Sequence, residues 1–259
     1  MIDIQKAKKV FKEYVKKYDD TNPKIKIKME HILKVAENSK KIATELNLSQ
    51  EDVLLAELIG LLHDIGRFEQ VKIYNTFLDS VSINHSIQGL KVLFEEGLIR
   101  EFVEEEKYDN IIYKAIINHN RDCIEQGLTD KELLHAKIIR DSDKLDIFRV
   151  VMTEEKIENA LSIKTEDVSK ELISDVIYSQ YVRGEHLDYS KRKTNIDIII
   201  CWCAFVYDFN FEESLKQVQK EDYVNRLIDR VDYKDELTKE RMENVRKIAN
   251  EYIINKCKG

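Results

Sequence analysis

With 259 residues, 43% hydrophobic and 35% charged, the chain is long enough for a sizeable core in one large domain. No apolar run approaches the roughly 20 residues of a membrane span. A net charge of −7 argues against a long nucleic acid as partner, although a local basic patch is compatible with it.

Four scattered cysteines (Cys123, Cys201, Cys203 and Cys257) make no disulfide scaffold. The opening Met1-Ile-Asp-Ile-Gln-Lys6 lacks the layout of a signal peptide, and both features together place the chain in a reducing cytoplasm. One proline and seven glycines leave little material for tight hairpins, which favours helices joined by polar loops.

Ile4, Ala7, Val10, Phe11, Tyr14, Val15 and Tyr18 recur at helical spacing and predict an amphipathic first helix, ended by Asp19–Pro23. Lys24–Met29 alternates like a strand, but Ile32, Leu33, Ala36, Ile42, Ala43 and Leu46 are helical in period. The spacing therefore predicts a helix over 26–46 that carries His31 in its first turns. Ser49-Gln-Glu-Asp52 reads as an N-terminal cap for a buried, nearly all-apolar helix over 53–63.

Residues 72–82 have no period and predict a loop, placed to line a cleft after His63-Asp64. A helix over 83–94 starts near His85, and 98–106 is a short acidic segment. Residues 108–119 form a helix ending at Asn118-His119-Asn120. A helix from Glu132 runs through Arg140–Asp146 to Met152.

Beyond it, 168–182 reads as one amphipathic segment and 183–193 as a charged loop. Thr194 is the expected cap of an apolar helix over 196–207, followed by helices over 215–231 and 235–257. The last carries Leu237, Val245, Ile248, Tyr252 and Ile253 on one face. With no repeat and no evident linker, the chain reads as a single all-α domain, residues 1–259.

Leu61–Glu69 reads Leu-Leu-His-Asp-Ile-Gly-Arg-Phe-Glu and holds the only His-Asp dipeptide in the chain. An apolar helix runs into an imidazole and a carboxylate, and Gly66 breaks it. Two such groups side by side in a core are costly unless something satisfies them. A divalent transition metal does so, since both are good ligands. Four of the six histidines and two aspartates form a dispersed series at predicted helix ends: His31, His63-Asp64, His85, His119 and Asp143.

That ordered series resembles the HD-domain superfamily of metal-dependent phosphohydrolases. The family pattern of His, His-Asp and a later Asp matches His31, His63-Asp64 within His-Asp-Ile-Gly66, and Asp143 within Asp-Lys-Leu. The resemblance covers roughly 28–150 and implies an HD-like helical bundle around a metal cleft, an HD core over about 26–150. Residues 151–259 would be a C-terminal helical extension.

The intervening His85 and His119 resemble the branch that holds two metals. The resemblance then implies one metal on His31, His63, Asp64 and Asp143, and a second on His85 and His119, with Asp64 bridging. Two cations about 3.5–4 Å apart acidify a shared water and neutralise a phosphoryl group under in-line attack. The alternative for His85 and His119 is to orient substrate in a one-metal site.

Where the family often has Lys after His-Asp-Ile-Gly, this chain has Arg67. Arginine grips phosphate with two parallel hydrogen bonds but is a poor proton donor to a leaving group, and a surface salt bridge is the plainer reading. Lys144 is expected to hold either the phosphate or Asp143. Together with Asp64 these are the catalytic candidates. Arg183, Lys191 and Arg192, in a cationic loop, are candidate substrate contacts, or simply solvated.

His135 and His186 read as structural or surface residues, Asp141 and Asp146 as helix-cap or surface acids, and Cys201 and Cys203 as core. Cys123 reads as a bystander.

These features lead to a cytoplasmic metal-dependent phosphohydrolase acting on a small phosphoester or nucleotide. Its two divalent ions would be iron, manganese, nickel, zinc or magnesium. The same ligands suit a di-iron oxygenase, and a non-catalytic nucleotide sensor on the same scaffold is a third reading.

Overall fold

The computed structural model describes residues 2–153, 164–185 and 187–258. Among them every regular element is helical, as composition and periodicity require, and no strand occurs. The chain divides into two compact units, residues 1–146 and 147–259.

The first unit begins with α1 (Ile4–Val15), whose N-terminal amides at Gln5 and Lys6 donate to Asp3. Its Ile4, Ala7, Phe11 and Tyr14 are buried, so the predicted face is the one that packs. Asn22 caps α2 (Pro23–Glu45), and Pro23 takes its first turn. The Asp19–Pro23 stretch thus starts the second helix as well as ending the first, because proline has no amide to leave unpaired at that position.

Ser49 accepts from the Asp52 amide and caps α3 (Gln50–Leu62), which is buried on nearly every side. The two long helices cross closely at Gly60, where a Cβ would stand 2.7 Å from the Ala36 Cα.

A turn over residues 63–65 leads from α3 directly into α4 (Gly66–Tyr74), so Gly66 opens a helix as well as following the end of one. Its φ is not among the positive ones, so the glycine is needed for space. A Cβ there would overlap the His85 carbonyl oxygen and the Gly89 amide nitrogen of α5 (His85–Leu90). The expected loop over 72–82 is shorter than predicted: α4 runs to Tyr74, Asn75 turns left-handed, and a single 3-10 turn spans Asp79–Val81.

Asn84 caps α5 through the Ser86 and Ile87 amides, and a π turn over Lys91–Glu95 follows. One turn, α6 (Ile99–Phe102), lies in the acidic segment. Then come α7 (Asp109–His119) and α8 (Asp130–Val151). Thr129 and Glu132 close a reciprocal capping box at the start of α8, a Thr-x-x-Glu signal that explains why this helix begins two residues before the expected Glu132.

In the second unit the expected segment 168–182 is broken. Only the turn Thr165–Val168 and α9 (Asp175–Val182) are helical. The buried Asp197 carboxylate draws the intervening chain away by accepting from the Ser174 amide and hydroxyl and from the Lys193 and Thr194 amides.

Thr194 caps nothing; its hydroxyl donates to the Leu172 carbonyl. α10 (Ile196–Cys203) and the turn Phe205–Asp208 replace the single expected helix. Asp222, at φ 54, divides 215–231 into α11 (Glu212–Lys220) and α12 (Tyr223–Asp229). In α13 (Glu236–Lys256) Met242, Val245, Ala249 and Ile253 are buried, whereas Leu237 is 50% exposed and off that face.

Candidate metal centre

Each of the six candidate ligands is delivered by a helix of the first unit or by the residues that follow one. His31 lies on the third turn of α2, and His63 and Asp64 follow the last turn of α3. His85 opens α5, His119 closes α7 and Asp143 lies inside α8. Helix ends are well placed to supply ligands, because the last side chain of a packed helix leans into a cavity while the helix behind it stays buried. The four histidines and Asp64 are at most 5% exposed, and the Asp143 side chain is 18% exposed.

Asp64 is the centre of the group. Its Oδ2 lies 3.6 Å from His31 Nε2 and 3.7 Å from His63 Nε2. Its Oδ1 lies 3.3 Å from His85 Nε2 and 3.6 Å from His119 Nε2. Asp143 Oδ1 closes the first side at 3.1 Å from His31 Nε2 and 3.7 Å from His63 Nε2. The two halves also meet ring to ring, His63 against His119 with centroids 5.2 Å apart. Two ligand-like triads therefore share one carboxylate: His31, His63 and Asp64 on one side, Asp64, His85 and His119 on the other.

All four imidazoles are held by the nitrogen that faces away. His31 Nδ1 pairs with Asp146 Oδ2 at 2.8 Å, and His63 Nδ1 with the Gly60 carbonyl at 2.8 Å. His85 Nδ1 pairs with Asp79 Oδ2 and His119 Nδ1 with the Ile116 carbonyl, both at 2.6 Å. Every partner is an acceptor, so each Nδ1 carries a proton and, in the neutral ring, each Nε2 has a lone pair for the centre.

Burial pushes the His63 imidazole below its ordinary range. Burial, helped by the Arg67 charge, takes His85 down to about 4. For His31, burial and Lys28 press the same way, but Asp143 and Asp146 outweigh them and raise it. Burial works against ionisation of Asp64, yet Lys28, His63 and Arg67 hold its carboxyl well below the usual range. Asp143 is likewise held low against burial, by His31 and His63.

This donor set fits a divalent metal. His31 Nε2, His63 Nε2 and Asp64 Oδ1 are buried and make no hydrogen bond. His85 Nε2 and His119 Nε2 face each other at 3.0 Å, and two lone pairs at that distance repel unless a cation lies near both. Unpaired buried polar atoms are rare and costly, and a cation satisfies all of them together.

Arg67 lies beside the centre, with Nε 3.5 Å from Asp64 Oδ1. Its Nη1 is engaged by Gln70 Oε1, the Phe77 carbonyl and Asp79 Oδ1, so the plain surface salt bridge does not describe it. Lys144 is buried next to Asp143 on α8. Arg183, Lys191 and Arg192 belong to the second unit and are engaged within their own loop: Arg183 with Glu185, Lys191 with Asp188, and Arg192 with the Tyr189 carbonyl and ring.

The structure corrects the reading of Asp141 and Asp146: both are buried, not surface acids, and Asp146 orients His31. His135 is structural, paired with Asp52 at 3.3 Å, and His186 lies outside the described residues. Cys201 and Cys203 are buried, and Cys123 is exposed.

Two neighbours of the centre, Asp79 and Lys28, were not singled out in the sequence, and Asp146 was read there only as a helix-cap or surface acid. Asp79 was detectable only as an acid in the loop expected to line the cleft. Lys28 stands one turn before His31 on the same helix, a spacing that places both on one face.

The family model described as the HD domain matches residues 29–147. Ribonuclease Y from two strains of Staphylococcus epidermidis is in each case 28% identical over 131 residues, which is 51% of this chain and 20% of the relative. The chain therefore spans about a fifth of the length of these curated relatives. No solved structure matches it significantly. No helix among the described residues is long and apolar enough to cross a membrane.

Proposed function

Because residues 29–147 are an HD domain, generally a metal-dependent phosphohydrolase, we propose that this chain hydrolyses a phosphoester of a small molecule or nucleotide at the Asp64 centre. His31, His63, Asp64 and Asp143 would hold one divalent ion and His85 and His119 a second, with Asp64 between them. The observation that carries this reading is the division of Asp64, whose two oxygens each face a different pair of imidazole lone pairs. Two ions so held supply a water of lowered pKa and charge neutralisation for the phosphoryl group.

The chain's own residues prepare that chemistry. The Nδ1 acceptors fix four tautomers before any ligand arrives, which removes reorganisation from the binding step. Burial excludes competing water from Asp64 and the histidines. Arg67 keeps a positive charge beside Asp64 and is itself locked by Gln70 and Asp79, so it acts as fixed electrostatic support for a phosphoryl group rather than as a mobile arm. Lys144 would steady Asp143 or a phosphate oxygen.

The similarity to ribonuclease Y favours a second reading, in which the ester is an RNA phosphodiester. The net charge of −7 favours the small substrate, since a long polyanion is repelled by such a surface.

Elemental analysis of freshly purified protein tests the centre, with His85→Ala and Asp64→Ala alongside. About two metals per chain, falling toward one in His85→Ala and toward none in Asp64→Ala, is the expected result. No metal under any loading condition overturns the enzymatic reading. A panel of phosphomonoesters, nucleotides and a short RNA then separates the two substrate classes.

A further inference from the structure

Lys28 lies outside the histidine–aspartate series, yet its ammonium is 2.7 Å from Asp64 Oδ2. That oxygen is the one facing His31 and His63. The side chain is 15% exposed and reaches inward past Phe77, with Nζ 5.3 Å from the ring centroid. The Arg67 guanidinium approaches the same ring at 5.8 Å.

The two cations differ in commitment. Arg67 is tied by Gln70, the Phe77 carbonyl and Asp79. Among the described residues Lys28 has one hydrogen-bonding partner, Asp64. An ammonium and a divalent cation drawn to one carboxylate edge repel each other. Lysine has a flexible stem and three rotatable donors, so Lys28 can leave Asp64 while its partly buried charge still needs an anion nearby.

We propose that Lys28 changes partner: it neutralises Asp64 in the metal-free chain and grips a phosphate oxygen of the substrate once metal is bound. This assignment rests on the phosphohydrolase reading. It gives the centre a phosphate contact on the α2 side, opposite the locked Arg67 on the other Asp64 oxygen.

The test uses the full chain and two titrations, manganese into metal-free protein and inorganic phosphate into manganese-loaded protein, for wild type, Lys28→Met and Lys28→Arg. Lys28→Met is expected to bind manganese at least as tightly as wild type, since a competing charge is gone. Its loaded form is expected to bind phosphate roughly ten- to a hundredfold more weakly, the worth of a hydrogen bond to a charged group. Lys28→Arg should recover most of that loss. Should Lys28→Met fail to fold, Lys28→Gln takes its place.

Phosphate affinity within twofold of wild type in the loaded methionine variant overturns the proposal and leaves Lys28 as a counter-ion to Asp64. Loss of manganese binding in that variant also overturns it, by making Lys28 a support of the metal ligands. If loaded wild type binds manganese but no phosphate, the phosphohydrolase reading itself falls, and the assignment with it.

Discussion

Asp79 joins His85 to Arg67: one of its oxygens lies 2.6 Å from His85 Nδ1 and the other 2.8 Å from Arg67 Nη1. A single loop acid thereby sets the tautomer of a candidate ligand and the position of the neighbouring guanidinium. Asp79→Ala should weaken metal binding on the His85 and His119 side by about 10–100-fold. The His31 and His63 side should be left nearly intact. Stepwise metal titration reads this as loss of one of two binding phases, and two unchanged phases would count against the orienting role.

Asp146 stands in the same relation to His31, from the far end of the unit. Asp146→Ala removes the acceptor of a buried imidazole N–H, which costs about 1–3 kcal/mol. The loss of stability should show in urea unfolding of metal-free protein. Metal affinity should fall on the His31 side, the converse of the Asp79 variant. A stability equal to wild type would mean that His31 Nδ1 finds another acceptor.

Gly66→Ala tests the close approach of α4 to α5. The added methyl overlaps backbone atoms of His85 and Gly89, which cannot rotate aside as a side chain would. Overpacking of this kind costs about 1–3 kcal/mol. The displaced α5 carries His85, so metal stoichiometry should drop together with the melting temperature. A destabilised variant that still binds two metals would separate the packing role from the positioning of His85.

Asp52 carries a pH dependence of its own, outside the candidate metal ligands. Burial opposes its ionisation, but hydrogen bonds from Ser49, Lys131 and His135 win and lower its carboxyl to about 2. A depressed carboxylate contributes stability that is complete above its unfolded value near 4 and is lost as pH falls through about 2. Discounted for solvent screening, the contribution is about 1 kcal/mol. Asp52→Asn should therefore be less stable than wild type by that amount at pH 7, with the gap closing between about pH 4 and 2. A pH-independent gap would assign the effect to packing.

The helical class and the candidate centre were legible in the chain because their signals are local. Three- and four-residue apolar spacing marks α1 and α2, Ser49 caps α3 by the residues next to it, and His63-Asp64 ends the apolar run of that helix. Helix breaks were harder to read. Asp222 and the stretch 169–174 interrupt periodic sequence, and in the second case the cause is the Asp197 carboxylate, which binds Ser174 from 23 positions away. Periodicity reports which side of a helix is apolar, not whether a distant acid competes for its amides.

By itself, the sequence determined that this protein is helical and that His63-Asp64, His85 and His119 fall at helix ends, since residue type and short-range spacing decide both; His31 and Asp143, expected at ends too, lie within α2 and α8. Only the tertiary structure decided how they meet: Asp64 divided between two imidazole pairs, Asp146 behind His31 across 115 positions, and Lys28 on Asp64 across 36. Those contacts depend on helix crossings at Gly60 and Gly66, where the absence of a Cβ lets backbones touch. No pattern along the chain encodes the direction in which a packed helix points its last side chain.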